Sequence, residues 1–223
     1  MEKRGIVLLQ AEPEPLEMEL KRTALLVIDM QNAFVSKGGM FDLGGQDMSH
    51  IQKVIEPNKK IIDSARSKKI KVVYAVHRIT GDAKEVGPLS RYRFNPGRMS
   101  PEFRRGSILE GTWGTEIVDE LRPREDEMVI VKRRFSAFSG TELDMMLRSF
   151  DIRYLIFTGV ATNICVESSL REASHLQYLP VLVTDAVAAS PPSRQQASVD
   201  NIREIFGWVT TSKNVLDVLS VGN

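Results

Sequence analysis

The 223-residue chain is predicted to adopt an α/β fold, a three-layer α/β/α sandwich around a six-stranded, mainly parallel sheet. Three observations carry that prediction. Short, unbroken apolar runs recur along the chain, as expected of strands buried on both faces. Stretches with apolar residues at helical spacing lie between them. The two alternate, which implies right-handed crossovers and a sheet covered on both sides.

Residues 1–22 read as an N-terminal arm, with Pro13 and Pro15 set among glutamates. The first strand is 24–28, ending at Asp29. An amphipathic helix is expected over 51–69 from Ile51, Val54, Ile55, Ile61, Ile62 and Ala65, with Pro57 kinking it or shifting its start. A strand at 70–76 follows, and then a segment, 77–113, rich in Arg, Gly and Pro and without a clear period. A connection of that length is expected to be a lid or a binding loop. The alternation then resumes with a short helix in 114–121, strand 128–131, helix 141–150, strand 154–157 and helix 163–176. Strand 180–183 runs into Thr184 and Asp185, and helix 194–206, strand 208–211 and a short helix at 213–220 complete the order. No repeat and no internal linker divides the chain, so residues 1–223 are expected to form one domain.

With 42% hydrophobic residues the chain can bury a sizeable core. Its 30 basic and 29 acidic residues leave a net charge of +1, so no global field favours nucleic acid or an anionic membrane. The first residues resemble neither a signal peptide nor a membrane span. One cysteine cannot form an internal disulfide, and a reducing cytoplasm is the expected compartment.

Function is sought at the carboxyl ends of the strands, where open parallel sheets place their ligand crevice. Asp29 follows one apolar run, Lys132 another, and Cys165 stands a few residues beyond a third. Each has an ordinary explanation by itself: a turn or cap aspartate, a solvated basic turn at 132–134, a small buried core cysteine. Together they match a chemistry. A thiol nucleophile needs a base to take its proton, a cation to favour charged forms, and an oxyanion hole, here the 161–165 backbone. A cysteine in the first turn of a helix is also expected to lose its proton near neutral pH. No Gly-x-Gly-x-x-Gly follows the first strand, which argues against dinucleotide binding.

The segments Leu-Val-Ile-Asp-Met-Gln-Asn-Ala-Phe (26–34), Val-Lys-Arg-Arg-Phe-Ser-Ala-Phe (131–138) and Gly-Val-Ala-Thr-Asn-Ile-Cys-Val-Glu-Ser-Ser (159–169) resemble the isochorismatase-like cysteine hydrolase superfamily. The resemblance spans about 24–211. It implies an Asp29, Lys132 and Cys165 triad, a cis peptide within Val160-Ala161, and an oxyanion hole made by the Ala161 and Cys165 amides. It also implies a homodimer or homotetramer acting on a small molecule. Residues 38–49, 111–114 and 206–209 look most like the branch of ureidoacrylate and other carbamoyl-amide hydrolases. That branch implies hydrolysis of a ureido or amide C–N bond through a thioester.

Two departures fall where substrate is read: His77 stands in place of an amide side chain and Phe135 in place of Tyr. Phe34, Trp113 and Phe135 are expected pocket walls, and His77 a substrate hydrogen-bonding partner. Among Arg78, Arg91, Arg93, Arg98, Arg104 and Arg105, one can clamp an anionic substrate. Nicotinamidases of the superfamily carry an Asp and two His metal ligands after the second strand. Here His77 is alone there, with His50 and His175 distant in sequence, so neither metal nor cofactor is expected. Hydrolysis of another bond, as in isochorismatases or nicotinamidases, and a non-catalytic binding homologue are the competing readings; the intact triad argues against the last.

Overall fold

The computed structural model describes residues 5–81, 85, 87–89 and 99–220. Among the described residues eight strands are formed: β1 Ile6–Leu9, β2 Leu16–Glu19, β3 Thr23–Ile28, β4 Lys71–His77, β5 Met128–Lys132, β6 Tyr154–Val160, β7 Leu179–Ala188 and β8 Trp208–Thr210. The last six make one sheet in the order β5-β4-β3-β6-β7-β8, and all five pairings are parallel. Chain order reverses between β3 and β6. That is the topological switch point, where the crevice of such a sheet opens.

The strands explain why apolar runs are unbroken. Along β3, Leu25 and Val27 enter one hydrophobic core while Ala24, Leu26 and Ile28 enter the other. Ile156 and Val160 of β6 likewise oppose Leu155 and Phe157. Each fully buried Leu, Ile or Val side chain stabilises the fold by about 1.5–3 kcal/mol relative to exposure. Helices Ile55–Ser67 and Ser212–Ser220 supply Ile61, Ile62, Ala65, Val215 and Leu219 to the first core. Leu143–Ser149 and Glu167–His175 supply Leu143, Leu147, Leu170 and Ala173 to the second. The result is the expected α/β/α sandwich. Pro57 lies in the first turn of Ile55–Ser67, where its missing N–H costs no helical bond, and a shorter helix, Met48–Gln52, precedes it.

Within the expected N-terminal arm, Ile6–Leu9 and Leu16–Glu19 pair as an antiparallel hairpin, which buries Leu9, Leu16 and Met18. Glu12 in its loop exchanges both main-chain hydrogen bonds with Val209 at 2.9 Å and so covers the β8 edge. The short helix expected in 114–121 is instead two 3₁₀ turns, Trp113–Thr115 and Asp119–Leu121. Between them the chain is extended because it pairs with the stretch after β3: Asn32 N–H donates to Glu116 O (2.9 Å) and Val118 N–H to Met30 O (3.0 Å).

Candidate active site

β3 ends at Ile28, and Asp29 leaves it with φ 50°, in the left-handed region that non-glycine residues seldom adopt. Lys132 closes β5, two strands away across β4, and sits in register with His77. Strands in a sheet lie about 4.8 Å apart, so a cation based on β5 needs a long side chain to reach the end of β3. Lys132 makes that crossing: its Nζ lies 2.8 Å from Asp29 Oδ2 and donates to Cys165 Sγ at 3.3 Å and to the Arg134 carbonyl at 3.3 Å.

Cys165 comes from the turn after β6. Gly159, at φ 108°, lets β6 pass β3, since a Cβ there would lie 2.0 Å from the Ile28 oxygen. The Val160–Ala161 peptide is cis, and a π-helical turn, Thr162–Val166, follows. The Ala161 carbonyl accepts from Ile164 (3.0 Å) and Val166 (3.3 Å), which closes this turn around Cys165. Ser169 Oγ donates to the Cys165 carbonyl at 2.6 Å and accepts from Ala137 N–H at 2.9 Å, tying the cysteine to the segment that follows Lys132.

The three groups are nearly sealed, with 1% exposure at the Asp29 side chain, 0% at Lys132 and 6% at Cys165. Burial raises the pKa of Asp29, outweighing the Lys132 ammonium and the Cys165 and His77 contacts that lower it. Burial alone works to lower Lys132, but the charges of Asp29 and then Cys165 hold it above its ordinary value. Burial and then the Asp29 charge push the Cys165 thiol up against the pull of Lys132. Burial and the Asp29 charge thus favour the neutral thiol, while the neighbouring Lys132 ammonium favours the thiolate. Neither Asp29 carboxylate oxygen has a hydrogen-bond partner among the described residues, and Oδ2 has only the Lys132 ion pair, which leaves buried acceptor capacity beside the thiol.

His77 joins this cluster. A ligand atom from each of Asp29, His77 and Cys165 lies within 4.8 Å of the others, a donor set that a zinc-like cation accepts. The Lys132 ammonium touches two of the three, so a divalent ion would enter against a charge already in place. The His77 ring, 8% exposed, is held well below the ordinary histidine pKa, first by burial and then by Lys132, Arg133 and Arg134. It is neutral at physiological pH.

His77 and Phe135 meet edge to face at 6.3 Å and line a cavity of about 370 Å³ with Leu89, Arg134, Ser139 and Glu172. Phe34 is not brought there; it packs on Phe41 at 4.9 Å, 5% exposed. Nor is Trp113, whose ring carries the Arg105 guanidinium at 4.6 Å. The Arg78 carbonyl accepts from Arg133, while Arg91, Arg93 and Arg98 lie outside the described residues. Glu85 was not anticipated: its carboxylate accepts from Thr80 and lies 3.5 Å from Arg133, and its carbonyl accepts from Arg134 at 3.2 Å. A charge this far from any strand run has no periodic signature.

A parallel α/β sheet whose switch point holds a buried acid, a lysine and a thiol defines a class of cysteine hydrolase folds. The comparisons agree with it. The isochorismatase domain model matches residues 23–214, and the chain belongs to the isochorismatase family. It is 39% identical over 219 residues to the ureidoacrylate amidohydrolase RutB of Agrobacterium fabrum, covering 95% of this chain and 96% of that protein. Against the RutB of Cronobacter sakazakii it is 40% identical over 221 residues, covering 96% and 95%. Among solved structures, a cysteine hydrolase from Pseudomonas syringae superposes with a TM-score of 0.81 at 25% identity, over 99% of both chains. The N-carbamoylsarcosine amidase of Thermoplasma acidophilum gives 0.68 at 29% identity, over 86% of this chain and 96% of that one.

Proposed function

We propose that Asp29, Lys132 and Cys165 are the catalytic triad of an amidohydrolase acting on a small ureido or carbamoyl compound. The chain is a hydrolase of carbon–nitrogen bonds other than peptide bonds. The observation that carries the triad is the bridge made by Lys132 Nζ between Asp29 Oδ2 and Cys165 Sγ, with Asp29 Oδ1 left open beside the thiol.

Asp29 takes the Cys165 proton as the sulfur attacks the ureido carbonyl carbon. Lys132 keeps Asp29 ionised before the transfer and stabilises the thiolate during it. The Ala161 and Cys165 N–H groups hold the tetrahedral oxyanion, a contribution of about 10²–10³ in rate per donor. Collapse breaks the C–N bond, and the proton on Asp29 leaves with the amine. A thioester remains on Cys165; water, deprotonated by Asp29, hydrolyses it to carbamate, which decays to ammonia and carbon dioxide. His77 and Phe135, the two departures that share the cavity wall, discriminate among substrates. A cytoplasmic location and a homodimeric or homotetrameric assembly complete the proposal; among the described residues no helix is long and apolar enough to cross a membrane.

The test is ammonia release from ureidoacrylate, biuret, N-carbamoyl amino acids and simple amides. Ureido compounds are expected to turn over, and Cys165→Ala and Cys165→Ser to lose at least about 10⁴-fold in kcat/KM. Activity that survives both substitutions would remove the covalent mechanism.

A further inference from the structure

Gln31 lies two residues beyond Asp29, is 0% exposed, and takes no part in the chemistry above. Its surroundings explain its presence. Asp29 N–H still donates to Ala75 O at 2.8 Å, as a parallel ladder requires. The next rung of that ladder would have the His77 N–H donate to the Asp29 carbonyl. That carbonyl has turned away and accepts from Gln31 N–H at 2.7 Å. The missing rung is made by a side chain: His77 N–H donates to Gln31 Oε1 at 2.7 Å, and Gln31 Nε2 donates to the His77 carbonyl at 3.1 Å and the Thr115 carbonyl at 3.0 Å. One amide thus stands in for the sheet at the point where β3 must leave it.

We propose that Gln31 is a positioning residue: its amide replaces the last rung of the β3–β4 ladder, so that Asp29 can turn out of the sheet and present its free carboxylate oxygen to Cys165. The inference rests on the triad reading given above. The amide suits this task because it offers an acceptor and two donors with no charge. A carboxylate would face two carbonyl oxygens, and an apolar side chain would strand all three main-chain groups. The charged or titratable groups facing Asp29 are Lys132 from β5, Cys165 from the turn after β6 and His77 from β4.

The sole cysteine makes a direct readout possible. Iodoacetamide alkylation, followed by intact mass, reports Cys165 without a substrate. Wild type, Gln31→Met and Gln31→Glu are compared from pH 5 to 9, with far-UV circular dichroism and thermal melting for each. Gln31→Met is expected to alkylate at least tenfold more slowly at neutral pH, with its half-maximal rate at higher pH, and to lose kcat more than it raises KM. In Gln31→Glu a protonated carboxyl still accepts from His77 and donates to one carbonyl. Its alkylation rate should approach wild type at low pH and fall behind as that carboxyl ionises. A folded Gln31→Met with the wild-type alkylation profile would overturn the proposal. If Gln31→Met does not fold, a Gln31→Glu to wild-type rate ratio independent of pH would do the same. The triad reading is separately tested by Cys165→Ser, since losing that reading would leave the Gln31 profiles unchanged but uncoupled from turnover.

Discussion

Two ion pairs sit at opposite ends of the same sheet, one half-buried and one fully buried, and they are built differently. At the amino ends, Arg66 meets Glu127 through two parallel hydrogen bonds of 2.8 Å and also donates to Tyr74 Oη (3.2 Å) and the Arg122 carbonyl (3.0 Å). At the carboxyl ends, Lys132 lies 2.8 Å from one oxygen of Asp29, and neither oxygen has a hydrogen bond among the described residues. The pKa directions follow. Burial works to raise both carboxyls, but the Arg66 bonds and the Arg124 N–H hold Glu127 below its ordinary value, whereas Asp29 stays above its own. A carboxylate whose acceptors are all used braces the fold. One left with an open oxygen in a dry site is poised to take a proton.

Four measurements can break or sharpen that contrast. Lys132→Met should be the most damaging, because it strands Asp29 as a buried, uncompensated charge. A stability loss of about 3–5 kcal/mol by chemical denaturation is expected, with kcat/KM down at least about 10³-fold. Glu127→Gln weakens a charge-assisted pair at the other end, and about 1–3 kcal/mol of stability should go without a change in kcat/KM.

His77 tests the same logic with pH. The folded ring stays neutral while the unfolded ring takes a proton below about pH 6.5, so stability should fall with pH below that value, by up to about 1.4 kcal/mol per unit. Denaturation of wild type and His77→Asn at pH 7.5 and 5.5 checks the sign; an equal slope in the two would remove His77 as the cause. Smallest of all, removing the exposed Lys213–Asp217 pair by Lys213→Ala should cost well under 1 kcal/mol, since such a pair is screened by solvent. A larger loss would mean that burial is not what separates these classes.

The pH dependence of turnover follows from Asp29. As pH falls through its raised pKa the carboxylate takes a proton, the base is lost, and kcat/KM should drop on the acid side at a pH above the ordinary Asp value of 3.8. Glu127→Gln should leave that limb in place.

The meeting of Asp29, Lys132 and Cys165 was legible because all three follow apolar strand runs, and a parallel sheet gathers strand ends at one edge. Most of the helices were legible from their apolar spacing, with 114–121 the exception. What the sequence did not carry was anything set by partners remote in the chain. Leu16 and Met18 alternate with glutamates, a two-residue period too short to stand out beside Pro13 and Pro15, so the hairpin read as an arm. The 114–121 stretch looked helical until Met30 and Asn32 were found pairing with it. Gln31 was visible as a motif letter, but its task depends on where β3 stops, which no local pattern states. Phe34 and Trp113 are expected pocket walls by motif position, and their neighbours, Phe41 and Arg105, come from other segments that no local pattern names.

The buried Asp29 carboxylate takes the Cys165 proton, whereas the Glu127 carboxylate only braces the fold. That division is tested most directly by kcat/KM on a turned-over ureido substrate for Asp29→Asn beside Glu127→Gln, each on protein verified as folded. Loss of about 10⁴-fold in Asp29→Asn, with Glu127→Gln unchanged, is the predicted result. Asp29→Asn within tenfold of wild type would contradict it.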